Sequence, residues 1–175
     1  MQLGAGCQAI KVAAFLVPML AWATDDPEHN PSMQLFLEAC ASTYAYEPRV
    51  AEAMKSLSFS ELAGTDADKY LLGQPGRAWV GTIDTNRYGV AVQPNGLCTV
   101  FVHAGDATQL QSAVEAWLPP EDLGISVKKM DLTTQPALPT TSYELLGGQV
   151  RERWVVTIST DPASPLRAML SWTRL

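Results

Sequence analysis

RAWVGTIDTNRYGVAVQPNGLCTVFVH, residues 77–103, decides the fold. Its three runs, RAWVGTI, YGVAVQ and LCTVFVH, are rich in β-branched and aromatic residues and are separated by the turn stretches DTNR and PNG. Links that short allow only antiparallel pairing, so the stretch reads as a three-stranded meander. Successive side chains of a strand point to opposite faces. Cys98, Val100 and Val102 therefore share one face, and Leu97, Thr99, Phe101 and His103 the other. A sheet with an apolar face needs a cover, and the neighbouring segments supply one.

Upstream, Asn30-Pro31 has the form of a helix start, with Asn as N-cap and Pro at the first helical position. Met33, Phe36, Leu37, Cys40 and Tyr44 then make one apolar stripe at helical spacing. Glu47-Pro48 opens a second helix, with Val50, Met54 and Leu57 on one side. Ser58 with Glu61 and Thr65 with Asp68 have the spacing of reciprocal caps, which predicts two short helical turns stopped at Gly64 and Gly73. GQPGR, residues 73–77, has glycines but no Gly-Lys-Ser/Thr, and reads as a turn from helix to strand.

Downstream, Asp106 with Gln109 caps a helix running to Trp117, ended by Pro119-Pro120. Strands follow in ISVKKMDLTT, TSYELL, VRERWVVTIST and LRAMLSWTRL. Gly147-Gly148 signals a two-residue hairpin that would set Glu144 opposite Arg151 and Leu145 opposite Val150. The pattern predicts an α+β fold, with helices packed on one face of a curved antiparallel sheet of about six or seven strands.

The first residues carry a dozen apolar side chains after Lys11, from Val12 to Ala23, too few for a bilayer span. Ala21-Trp22-Ala23 places small residues where a signal peptidase reads, and TDDPEHN follows. The expectation is a signal peptide over 1–23 cleaved near Ala23, then one domain over 24–175 with a flexible leader at 24–30, periplasmic or secreted and without a transmembrane anchor. Cys7 precedes the apolar run, the wrong side for lipid attachment.

The net charge of −6 argues against nucleic acid or anionic lipid as the main partner, because a polyanion needs a concentrated basic face. Lys128-Lys129 and the Arg151/Arg153 pair are too small to reverse that sign, and read as solvated strand faces.

Of the three cysteines, Cys40 and Cys98 lie beyond the signal segment. In an oxidising compartment such a pair is a disulfide. Cys40 sits on the helical stripe and Cys98 on the strand face the stripe would cover, so two independent patterns bring the sulfurs together. A bond there leaves no thiolate for catalysis. Zinc wants three or four converging ligands, whereas Cys98 and His103 point to opposite faces of one strand and His29 lies in the leader, so no metal or other cofactor is expected. A serine hydrolase would need His103 as base with Asp106 as orienter, yet no G-x-S-x-G elbow occurs and Asp106 already serves as a cap. No catalytic residues are assigned.

What is left is surface. If Ala78, Val80 and Thr82 face the helices, Trp79 lies on the open face with Arg77, Tyr88, Phe101 and the rim residue His103, an aromatic and Arg composition suited to a binding patch. The competing reading makes Trp79 part of a second core layer beneath the last strands.

FLEAC (36–40), LLGQPGRAW (71–79) and NGLCTVFV (95–102) resemble stretches of a small, poorly characterised family of exported proteins and lipoproteins of Gram-negative bacteria. The resemblance spans roughly residues 33–118, implies no enzymatic activity and carries over no catalytic residue. This chain lacks the lipoprotein cysteine just after the apolar run. The expected function is binding of another macromolecule, as an inhibitor or immunity-type protein or an accessory of an envelope assembly, with a protein as the probable partner. A small-molecule sensor or carrier with a pocket between helices and sheet is the alternative, and a hydrolase using His103 comes last.

Overall fold

A computed structural model of the chain describes residues 29–103, 107 and 109–175. The expected signal segment with its cleavage point, Cys7, most of the leader and the Asp106 cap lie outside the described residues.

Asn30 starts α1 (Pro31–Phe36) as its sequence predicts: Oδ1 accepts from the N–H of Ser32 at 3.0 Å and of Met33 at 3.1 Å. The helix then widens into a π-helical turn over Leu37–Ala41, where Ser42 N–H reaches back to Leu37 O at 2.8 Å. Tyr44 and Ala45 follow with φ of 54° and 50°, left-handed backbone that ends the helical stretch. Ala45 N–H closes it on Cys40 O at 3.0 Å. Next come α2 (Glu47–Ser56), α3 (Thr65–Leu71) and, after the meander, α4 (Leu110–Ala116).

The strands are β1 (Ser60–Glu61), β2 (Arg77–Ile83), β3 (Asn86–Val92), β4 (Cys98–Val102), β5 (Ser126–Asp131), β6 (Thr140–Gly147), β7 (Val150–Ile158) and β8 (Ala168–Arg174). They form one antiparallel sheet in the order β1-β2-β3-β4-β8-β7-β6-β5. The α+β expectation holds. The strand count among the described residues is eight, above the six or seven expected, because the segment read as a helical turn at Ser58–Glu61 is an edge strand. Ser58 has φ of 60°, which turns the chain out of α2 so that Ser60 pairs with Val80 and Glu61 with Trp79.

The helices do not keep to one face, and this corrects the single-layer expectation. Trp79, Val90, Val92, Val100, Leu170 and Trp172 form the main core with residues of α1, α2 and α4. Ala78, Ala91 and Phe101, of opposite parity, form a second cluster with Ala67 and Leu71 of α3. Small residues at this second layer let α3 come close: a Cβ at Gly89 would overlap the ring of Tyr70.

The β6–β7 hairpin also differs from expectation. Its turn residues are Gly148 and Gln149, so Gly147 pairs with Val150, Leu145 with Glu152 and Glu144 with Arg153. Gly148 takes φ of 55°, while Gly147 stays in the strand against Gly124 O, where any side chain would clash. The charge match moves by two residues and keeps its face: Arg153 Nη2 donates to Glu144 Oε1 at 2.6 Å.

Cys40 and Cys98 form the disulfide, with Cα atoms 5.5 Å apart. Both are fully buried, joining the π-helical turn to the strand at the centre of the sheet.

Candidate functional site

The five residues expected as one binding patch are divided between the two faces of the sheet. Trp79 and Tyr88 are buried in the main core, at 3% and 1% exposure. Phe101 and His103 lie on the other face beneath α3, where the Tyr70 ring meets both edge-on, at 5.1 Å and 5.6 Å. His103 Nε2 is 3.0 Å from Tyr70 Oη and Nδ1 is 3.1 Å from Pro165 O. A carbonyl only accepts, so Nδ1 is the donor to Pro165 O. Both ring nitrogens are thereby engaged in tying α3 and the 160s loop to the sheet. Asp106, the suggested orienter, is outside the described residues. No group of three or more His, Cys, Asp or Glu suited to a metal ion occurs among the described residues.

Arg77 and Trp79 do stay together. The guanidinium lies 5.0 Å over the indole and donates to both carboxylate oxygens of Glu61, at 2.8 Å and 2.6 Å. Those hydrogen bonds hold the Glu61 carboxyl below its ordinary range. With Ala51, Lys55 and Phe59 they bound an open groove of about 430 Å³ between α2 and the β1 edge.

The more distinctive surface lies at the β6–β7 hairpin end of the sheet. Tyr44, placed by its spacing on the buried stripe, is 63% exposed. The π-helical turn shifts the helical phase and the left-handed backbone then lifts the residue off the core. Its ring stands edge-on to Trp172 at 6.4 Å. Tyr46, two residues on, is 60% exposed. A non-glycine residue in the left-handed region costs about 1–2 kcal/mol. Here a large aromatic bears that cost while most of its surface faces water. Three backbone bonds hold the tip: Tyr44 N–H to Ala41 O, Ala45 N–H to Cys40 O and Tyr46 N–H to Thr43 O, at 3.0–3.1 Å.

Beside Tyr44, a groove of about 290 Å³ is lined by Gln149, Val150, Glu152 and Arg174. Glu152 Oε2 accepts from two indoles, Trp172 Nε1 at 2.8 Å and Trp154 Nε1 at 3.2 Å. In register, Arg174, Glu152, Leu145 and Val127 form one row across β8, β7, β6 and β5. That row ends at a larger groove of about 680 Å³, between the end of α4 and β5, lined by Leu118, Pro119, Ile125 and Val127 with Glu115 and Glu121 at its rim.

Glu115 anchors this corner. Oε1 accepts from Lys129 Nζ at 2.7 Å, Gln111 Nε2 at 2.7 Å and Tyr143 Oη at 2.8 Å. These partners, Lys129 first, lower its carboxyl from 4.5 to about 2. Burial and then the adjacent Glu115 push the Tyr143 phenol well above its usual value. The arrangement is a fixed polar strut from α4 to the sheet.

Sequence reading missed this end of the molecule for two reasons. The π-helical turn has no periodicity signal that would move Tyr44 outward. Lys128-Lys129 lies on a solvated strand as its sequence predicts, but that this strand is the edge of the sheet is a property of topology.

No protein-family model matches the chain, and no curated protein or solved structure is significantly similar to it.

Proposed function

We propose that this is an exported protein that acts by binding another protein, through the hairpin end of its sheet. Tyr44 carries the reading: an exposed aromatic on strained backbone, immobilised by the buried disulfide four residues before it. Rigid aromatic anchors that lose little freedom on binding are the usual centres of protein interfaces. Strained backbone clusters at functional sites, and at Tyr44 it presents to solvent a ring whose described packing is the edge-on contact with Trp172. The acidic balance adds a preference for basic partners at long range. An inhibitor or immunity-type protein, or an accessory of an envelope assembly, fits this description.

The disulfide and the apolar N-terminal run support an oxidising compartment. No helix among the described residues is long and apolar enough to cross a membrane. The space between helices and sheet is filled by Met33, Phe36, Val90, Val100 and Leu170, all essentially unexposed. A small-molecule carrier would therefore have to use the surface grooves.

The test is affinity capture from the parent envelope extract under non-reducing conditions, with the native chain and a Tyr44→Ala, Tyr46→Ala double variant. A stoichiometric protein captured by the first and lost by the second is the expected result. Identical captures from both, or none, would sink the reading.

A further inference from the structure

One end of the sheet is closed by only two paired residues, Ser60 and Glu61, but the other ends in a six-residue strand, β5 (Ser126–Asp131), with β6 on one side alone. Beyond the last assigned pair, Leu132 N–H donates to Thr140 O, the next residue in register, at 2.8 Å. Bonded and non-bonded pairs alternate along an antiparallel ladder. Ser126, Lys128 and Met130 therefore turn their backbone groups toward β6, while Val127, Lys129 and Asp131 turn theirs away from the sheet. The same three residues put their side chains on the main-core face, and Val127 forms one wall of the α4–β5 groove. Among the described residues, these outward N–H and C=O groups run beside a depression of about 680 Å³ in which Leu118, Ile125 and Val127 supply an apolar wall and Glu115, Glu121 and Ser126 a polar one. An open edge beside a side-chain pocket is the combination by which a sheet receives an extended peptide.

The charges decide between occupants. A second copy of the chain would have to pair β5 with itself about a two-fold axis. The two most overlapping registers that match outward groups set Lys129 against Lys129, or Lys128 against Lys128. Like charges directly opposite oppose pairing, and lysines on an outer strand are a known guard against self-association. Lys129 is already held by Glu115 at 2.7 Å. Lys128, on the opposite face, is exposed and has no ion pair among the described residues. It favours a strand with a carboxylate across from it.

We propose that β5 accepts an extended segment of a partner protein as an additional strand, with an apolar side chain in the α4–β5 groove and an acidic side chain opposite Lys128. This deepens the protein-binding reading above and rests on it. The aromatic tip at Tyr44 and the β5 edge then lie toward the two ends of one ladder row, Arg174, Glu152, Leu145 and Val127, whose middle member Leu145 is buried in the core.

The experiment is selection of a random linear peptide library displayed on phage against the oxidised protein, followed by titration of the best synthetic peptide into isotope-labelled protein. The expected winners alternate apolar and acidic residues. They should shift the amide resonances of Val127, Lys129 and Asp131 together with those of 118–125. Lys128 also stands opposite Glu144, so Lys128→Glu is first checked for an intact fold by its thermal midpoint and amide spectrum. It is expected to weaken binding about tenfold by turning attraction into repulsion. Repeating the selection on that variant should return basic peptides. No enrichment, resonance shifts elsewhere, or equal binding to Lys128→Glu would each overturn the proposal. A natural partner captured by Lys128→Glu but lost with Tyr44→Ala would overturn the edge strand alone and leave the protein-binding reading standing.

Discussion

Trp172 donates its indole N–H to Glu152 Oε2 across 2.8 Å, from β8 to β7, and so ties a buried ring of the core to the rim of the hairpin-end groove. Trp172 is 1% exposed, so its N–H has no access to bulk water. Glu152→Ala leaves that donor unpaired and is expected to cost about 1–3 kcal/mol. Glu152→Gln keeps a carbonyl acceptor and should recover most of the loss. Urea unfolding followed by tryptophan fluorescence measures both, and equal destabilisation by the two variants would contradict the assignment.

The disulfide closes a sequence separation of 58 residues. On the chain-entropy view, a loop of that size contributes about 4 kcal/mol by restricting the unfolded chain. The Cys40→Ala, Cys98→Ala double variant is expected to lose about 2–5 kcal/mol in denaturant unfolding. It should also loosen the backbone of 41–46, seen as faster amide exchange there. Unchanged exchange at Tyr44 would show that the bond does not hold the tip.

Glu115 has its carboxyl depressed from 4.5 to about 2 in the folded chain, chiefly by Lys129. A depressed folded value means that the ionised form stabilises the fold. The contribution is fully present above about pH 4.5, and is lost as pH falls toward 2. Glu115→Gln should therefore flatten the fall in stability across that window, with its destabilisation largest above about pH 4.5 and smallest near pH 2, and modest throughout because the Lys129 pair is partly exposed. Thermal midpoints between pH 2 and pH 7 read this directly. Parallel curves for variant and native protein would rule it out.

Leu72 is 80% exposed with φ of 54°, followed by Gly73, also left-handed at 75°. A side chain with so little packing has no visible compensation for its backbone conformation. Leu72→Gly is expected to raise stability by about 0.5–1 kcal/mol, since glycine enters this region without a steric penalty. A lower urea midpoint would show that the leucine makes a contact worth more than the strain.

The meander was readable because Arg77–His103 combines period-two alternation with turns too short for any other pairing. Asn30-Pro31 was equally plain, as was the convergence of Cys40 and Cys98. The burial of Trp79 was not, and the reason is physical. Alternation separates two faces but cannot say which is covered when both carry apolar residues. Trp79, Val90 and Val100 lie on one, Ala78, Ala91 and Phe101 on the other, and each face has its own helices. Residue size was the unused clue: alanine and glycine at 78, 89 and 91 mark where α3 sits close to the backbone. The hairpin register slipped by two because two adjacent glycines look alike in sequence, while only Gly148 takes the left-handed turn conformation. The candidate surface depended on these same hidden features, a π-helical turn and the rank of β5 in the sheet.

β8 lies between β4 and β7, so the strand latest in the chain occupies the middle of the sheet. Without residues 168–174 in place, the β1–β4 and β5–β7 groups are two separate ribbons with no shared ladder. Cys98, whose neighbour across the ladder is Trp172, then lies on an uncovered margin. Docking of β8 beside β4 is what covers that margin, so the covalent link is shielded from reductants only when the last strand is seated.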